Sequence, residues 1–296
     1  MIRSSASNGN GSPDVTGFYE PDTGSIQYVV SDPATKKAAL VDVVWNFDDR
    51  SASTSTKSAD EILDFVAAEN LDVEWILDTH PHADHFSAAA YLKDKLGAPT
   101  AIGEKVKEIA VLWRGFYNEP DAFDVDACFD RLFADGDEFT VGTLPVKVML
   151  SPGHTLGSIT YVVGSDAAFV HDTLMYPDSG TSRADFPGGS AHDLYRSLQA
   201  ILSLPGDTRL FVGHDYCNGG REPKWEATVA EQKANNIHLK SGPDEDEYVK
   251  IREERDATLS LPNLMLYALQ VNLRGGRLPE AENDGNCYLK VPANRF

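Results

Sequence analysis

Short apolar runs separated by Gly, Pro and Asp recur along the chain and predict strands. Residues 25–30 and 38–42 form one such pair, joined by the turn Asp32-Pro33-Ala34-Thr35. Further strands are predicted over 73–77, 99–102, 138–141, 144–150, 158–163, 167–170 and 209–212, with Asp135-Gly136-Asp137 turning the chain before 138. Helical spacing appears between them. Ile62, Phe65 and Val66 share a face over 59–69, and Leu194, Leu198, Ile201 and Leu202 share one over 194–204. Helices are also predicted from Phe86 to Gly97, where glycine supplies the stop, and over 104–113, 223–238 and 248–257, while residues 263–271 are apolar enough to dock on the main body. This alternation is that of an α/β protein.

The remaining stretches lack a clear period. Residues 1–13, rich in Ser, Asn and Gly, read as a disordered tail, and Ser51–Ser58 as a solvated connector. Residues 114–136 read as an excursion over one rim, with Phe116, Tyr117, Phe123 and Phe129 as local packing. No period is visible over 173–191. Residues 272–296 read as a tail that packs through Tyr288, Leu289, Val291 and Phe296.

Composition narrows the function classes. A 296-residue chain with 42% hydrophobic and 24% charged residues can bury a large core. The formal net charge of −20 opposes nucleic acid and anionic membranes as partners. An anionic small substrate would need a local basic patch. Cys128, Cys217 and Cys287 stand too far apart for a cysteine-based zinc site and match no disulfide framework. With no signal-peptide pattern and no long apolar run, a reducing cytoplasm is the expected location.

The chemistry concentrates in Thr79-His80-Pro81-His82-Ala83-Asp84-His85. This segment follows one predicted strand and precedes a helix, at the edge where open α/β sheets carry their sites. Imidazole and carboxylate together suit Zn, Fe or Mn. His154, Asp172 and His214 each lie at or near the end of a strand-like run. All of these side chains can therefore converge on one edge.

The pattern His80-x-His82-x-Asp84-His85, then His154, Asp172 and His214, resembles the metallo-β-lactamase superfamily over roughly residues 15–240. The resemblance implies an αββα sandwich of two mixed sheets flanked by helices. It also implies a catalytic domain over 14–240 and a helical extension over 241–296 packed on it. In the superfamily an aspartate such as Asp42 ends the second strand in a supporting role.

Two ligand sets follow from the resemblance. In dinuclear hydrolases two Zn, Fe or Mn ions are held, one by His80, His82 and His154, the other by Asp84, His85 and His214, with Asp172 bridging. In the persulfide dioxygenases His80, His154 and Asp172 alone hold one Fe(II). His82, Asp84, His85 and His214 then orient ligands and water. Ser182-Arg183-Ala184-Asp185-Phe186 is similar to a segment of the second group, although Ser182 and Ala184 replace its Gly and Thr. Arg183, Tyr216 and Arg221 become candidate contacts to substrate. The expected reaction is oxidation of glutathione persulfide, or a similar small persulfide, by O2 and water to sulfite and thiol, in an enzyme group that often forms homodimers. A glyoxalase II-like thioester hydrolase and a non-catalytic binding protein on the same fold stay open as alternatives.

Overall fold

A computed structural model describes residues 1–295. The first half runs β1 (Ile2–Ser5), β2 (Asp14–Tyr19), β3 (Ile26–Ser31), β4 (Lys37–Val41), β5 (Val44–Asp48), β6 (Ser53–Ser55), α1 (Lys57–Ala68), β7 (Asp72–Leu77), β8 (Phe86–Ser87), α2 (Ala89–Leu96), β9 (Thr100–Gly103), α3 (Val106–Tyr117), α4 (Val125–Cys128) and β10 (Arg131–Phe133). It continues through β11 (Glu138–Val141), β12 (Leu144–Leu150), β13 (Ile159–Val163), β14 (Ala167–His171), α5 (Ala191–Leu202), β15 (Arg209–Val212), β16 (Glu226–Thr228), α6 (Val229–Asn235), α7 (Glu245–Asp256) and α8 (Met265–Asn272).

Two mixed sheets face each other. The first has the order β1-β2-β3-β4-β7-β9-β10, antiparallel through β4 and parallel from β4 to β10. The second has the order β11-β12-β13-β14-β15-β16, with β14 and β15 its parallel pair. Their inner faces share one core, in which Val30, Val41 and Leu77 of the first sheet meet Val148, Tyr161 and Phe169 of the second. On the outer face of the first sheet, Ile62 and Val66 of α1 and Leu92 of α2 cover Leu40 and Ile76. Helix α5 buries Leu194, Leu198 and Ile201, the apolar stripe its spacing announced. This is the expected αββα sandwich.

Several local expectations need correction. Residues 2–5 are not a loose tail: β1 pairs with β2, from Ile2 opposite Phe18 to Ser5 opposite Val15. The strand is held by backbone pairing, which a Ser-rich composition conceals. Arg209 secures the segment after it, donating to Ser5 Oγ (2.9 Å), Ser12 Oγ (3.0 Å) and the Pro13 carbonyl (3.0 Å). Within 51–58, β6 forms a hairpin with β5, and Phe86-Ser87 pairs with β5 before α2 begins. The expected helix over 223–238 splits, because Glu226–Thr228 pairs with β15 and Thr228 then caps α6 with Glu231 in a capping box. The 114–136 excursion adds β10 to the first sheet, and its Tyr117, Phe123 and Phe129 pack with Trp113, Met265 and Leu269.

In the C-terminal stretch Leu289 packs beside Phe86 and Val271, while Tyr288 and Val291 are half exposed. Phe296, expected to pack there, lies outside the described residues. Among the described residues no helix is long and apolar enough to cross a membrane. The three cysteines are unpaired with one another.

Candidate metal centre

Strand ends bring the histidines and carboxylates together. The loop after β7 supplies His80 to His85, the β12–β13 loop supplies His154, and the residues after β14 and β15 supply Asp172 and His214. Because β14 and β15 run parallel, Asp172 and His214 emerge side by side. His171 adopts a left-handed conformation (φ 39°), ending β14 where the ladder slips register. Gly213 leaves room for the approach, since a Cβ there would lie 2.6 Å from Asp172 Oδ1. Tyr28 of β3 donates its hydroxyl to the Val212 carbonyl, pinning the start of the His214 loop to the opposite sheet.

His80, His154 and Asp172 make one compact donor set. Asp172 Oδ2 lies 3.6 Å from His80 Nε2 and 3.6 Å from His154 Nε2. Donors bound about 2.1 Å from one ion at adjacent positions stand roughly 3.0–3.4 Å apart, so little movement separates this arrangement from ligation. Each ring is oriented by its other nitrogen. His154 Nδ1 donates to the Arg183 carbonyl at 2.9 Å. His80 Nδ1 lies 3.0 Å from Thr79 Oγ1, which in turn donates to Asp42. Both contacts leave the Nε2 lone pair pointing inward, the tautomer a metal requires. His80 Nε2 is a buried nitrogen with no hydrogen-bond partner, and burial with neighbouring imidazoles pushes its pKa well below the usual histidine range. The set therefore fits a metal ion.

The other four candidates are differently engaged. His214 sits between two carboxylates, donating from Nδ1 to Asp172 Oδ1 at 2.5 Å and from Nε2 to Asp84 Oδ2. Burial opposes its charge, but those two carboxylates outweigh it and hold the ring's pKa well above the ordinary value. Asp84 Oδ2 also accepts from Ser25 Oγ at 3.0 Å, with His85 Nδ1 3.3 Å away. His82 turns Nε2 toward Asp42 Oδ1 at 3.0 Å; burial disfavours its charge, yet Asp42 prevails and pushes the pKa up to about 9. His82, Asp84 and His85 still form a second possible donor group, with His82 Nδ1 and His85 Nε2 buried and unpartnered.

Beneath this layer lie residues that the sequence hid. Asp78 is buried under Ser87 Oγ (3.0 Å), and burial pushes its carboxyl up to about 7. Ser25 links β3 to Asp84, His85 and His214. His171 packs its ring 5.0 Å from that of His80. A lone serine and an inward histidine at a strand end carried no spacing signal. Asp42, read as a support, does serve as one, accepting from the Thr79 backbone at 2.8 Å.

A cavity of about 440 Å³ opens over Asp84, His154, Asp172 and His214. Tyr216 stands at its mouth, 63% exposed, with its ring parallel to His214. Two expected substrate contacts depart from expectation. Arg183 lines the cavity, but its fork grips both oxygens of Asp185 (2.7 and 2.8 Å) and the Ser260 carbonyl (2.6 Å). Arg221 turns away to Asp178 and Asp215. Arg255 also lines the cavity, with no carboxylate partner among the described residues. A wider cleft of about 960 Å³ meets the site from the other side of Tyr216, with Glu20, Asp22, Asp48 and Asp49 on its walls.

The superfamily's sequence profile, described as metallo-beta-lactamase superfamily, matches residues 23–214. The chain belongs to the metallo-beta-lactamase superfamily. Within that superfamily it is 60% identical over 282 residues to a beta-lactamase hydrolase-like protein of Xylella fastidiosa, covering 95% of this chain and 65% of the relative. The chain thus spans about two thirds of that relative's length. It is 43% identical to glyoxylase B2 of Dictyostelium discoideum, covering 94% of this chain and 96% of the relative. Human mitochondrial persulfide dioxygenase ETHE1 is 27% identical, with 88% and 87% covered. The crystal structure of ETHE1 from Myxococcus xanthus superposes with a TM-score of 0.70 at 29% identity, covering 88% of this chain and 98% of that one.

Proposed function

We propose that this superfamily member is a persulfide dioxygenase that holds one Fe(II) through His80, His154 and Asp172. The observation that carries the reading is the division of labour among the seven candidate ligands. Asp172 Oδ2 and the Nε2 atoms of His80 and His154 face one point, while Asp84 and His214 are engaged with each other. Two imidazoles and one carboxylate on one face leave positions for a thiolate and O2. The likeness to the ETHE1 proteins supports the same reading.

Iron in this setting would supply the electrons that activate O2. Around it the chain binds, orients and excludes. His154 and His80 keep fixed tautomers through the Arg183 carbonyl and Thr79. His214 donates to Asp172 and holds that carboxylate in place, and Tyr216 screens the mouth. Residues 241–296 act as a helical extension on the catalytic domain, and their Arg255, Leu259 and Pro262 close one wall of the cavity. Arg255 meets the substrate's anionic tail. Each persulfide consumes one O2 and one water and gives one thiol, one sulfite and two protons. Glutathione persulfide fits as substrate, and a cytoplasmic, homodimeric enzyme fits the reading.

One observation favours a second reading. His82 Nδ1 and His85 Nε2 are buried without partners, as they would be if His82 joined His80 and His154 on one ion and His85 joined a second, the arrangement of a dinuclear thioester hydrolase. Anaerobic reconstitution decides between them. The first reading expects about one iron per chain and persulfide-dependent O2 uptake with sulfite formed in equal amount. Two ions per chain with thioester hydrolysis and no uptake would overturn it.

A further inference from the structure

A second, much smaller void touches the metal donors from another side. It measures about 20 Å³ and is bordered by His80 and His154. The rest of its wall is largely apolar: Ile109 and Trp113 of α3, Phe186, and Met265 and Leu269 of α8. These five side chains are at most 9% exposed. Ala83, His154 and Phe186 also border the larger cavity, so the two spaces share a wall at the metal centre. Thr155 and Pro187, both half-buried, form its outer members.

Size and lining select the occupant. About 15 Å³ suffices for one water-sized molecule, but a water also needs two to four polar partners, and apolar cavities stay dry and take up xenon instead. A small apolar gas loses nothing by leaving water for such a wall. The larger cavity, with Arg255 on its wall, suits the anionic thiol. The apolar void suits the other co-substrate of an oxygenase. A hydrolase has no use for it.

We infer that this void is the docking site and last stretch of the route for O2, delivering it to the His80–His154 side of the metal centre while the persulfide arrives through the larger, Arg255-lined cavity. The inference rests on the dioxygenase reading and adds a second, separate entry to it. Phe186 is the partition, its ring edge-on to His154 at 5.4 Å and capped by the Arg183 guanidinium at 4.7 Å.

Two experiments test this. Xenon-pressurised crystals of the metal-loaded protein should show xenon between Phe186 and Leu269. Ile109→Phe and Leu269→Phe, which fill the void, should each raise KM for O2 at least about threefold. KM for the persulfide and the iron content should stay at wild-type values, a split that general loosening of the fold would not produce. Unchanged KM for O2 in folded, iron-replete variants overturns the assignment and leaves the dioxygenase reading standing. Xenon bound only elsewhere also overturns it, and decides the matter even where a variant fails to fold. Absence of any persulfide-dependent O2 uptake by the wild-type holoprotein overturns both readings together.

Discussion

Asp256→Ala should loosen the metal centre from a distance. Asp256 and Arg252 lie one turn apart on α7, 5% and 2% exposed. Asp256 accepts from Arg252 Nη2 at 2.7 Å and from the Ala184 backbone N–H at 2.9 Å, and Arg252 Nη1 donates to the Thr181 carbonyl at 2.8 Å. The pair thus clamps both ends of the 181–184 loop, whose Arg183 carbonyl orients His154. Alanine leaves a buried guanidinium uncompensated, a loss of about 3–5 kcal/mol. It also orphans the Ala184 N–H, about 1–3 kcal/mol more if water cannot reach it. The two overlap, so about 4 kcal/mol in total is expected, read as a fall of roughly 1–2 M in the urea midpoint of the metal-free protein. Iron affinity should drop about 10- to 100-fold, the usual cost of releasing a histidine's outer partner. Arg252→Met with Asp256→Leu should recover most of the stability, because no charge is then stranded. A loss below about 1 kcal/mol for Asp256→Ala, or unchanged iron affinity despite the predicted destabilisation, would refute the clamp.

Other outcomes follow from the same geometry. His80→Ala or Asp172→Ala should reduce bound iron below about a tenth of the wild-type amount, whereas Asp84→Asn should retain about one ion per chain, both read by metal analysis. Arg255→Gln should raise KM for glutathione persulfide about tenfold, the scale of one charge-assisted contact, and should barely affect a persulfide whose carboxylates are esterified. His238 accepts from the Thr181 N–H at 3.0 Å, and burial, with Arg252 and Arg255 nearby, lowers its pKa to about 4. It is neutral in the fold, so its contribution is complete above about pH 6.5 and is lost as pH falls from 6.5 toward 4, about 1–2 kcal/mol after allowing for solvent; His238→Asn should flatten that part of the stability–pH curve. Gly153→Ala should destabilise by at least about 2 kcal/mol in urea melts, since its Cβ would lie 2.2 Å from the Leu194 backbone nitrogen at a φ of 129°.

The legible parts of the sequence were those where side chains alone decide structure. Strands β11, β12 and β15 match their predicted bounds because their apolar runs are flanked by unambiguous turns. The metal donors were legible because histidine and aspartate at strand ends have few other reasons to cluster. Less legible was whatever depends on backbone pairing. Strand β1 is Ser-rich, and β16 borrows its order from β15. Thr228 and Glu231 offered a readable capping signal for the true start of α6, inside the longer helix expected over 223–238. Arginine roles depended on tertiary partners: among the described residues Arg183 and Arg221 find carboxylates and Arg255 does not. No spacing rule distinguishes the three.

The donors of the candidate iron site sit at strand ends in two different sheets, and Asp172 is 92 residues beyond His80. A chain emerging from the ribosome exposes its first histidine-rich loop well before the carboxylate that completes the set. Early on, that loop can hold an ion only by its own weak, adjacent imidazoles. Strong capture awaits the docking of the later sheet, a contact of long sequence separation and therefore slow to form. Metal loading is thus a late event in the life of this fold, a seal on a finished cleft rather than a seed for it. Deprived of its metal, the polypeptide should accumulate as a folded, empty vessel.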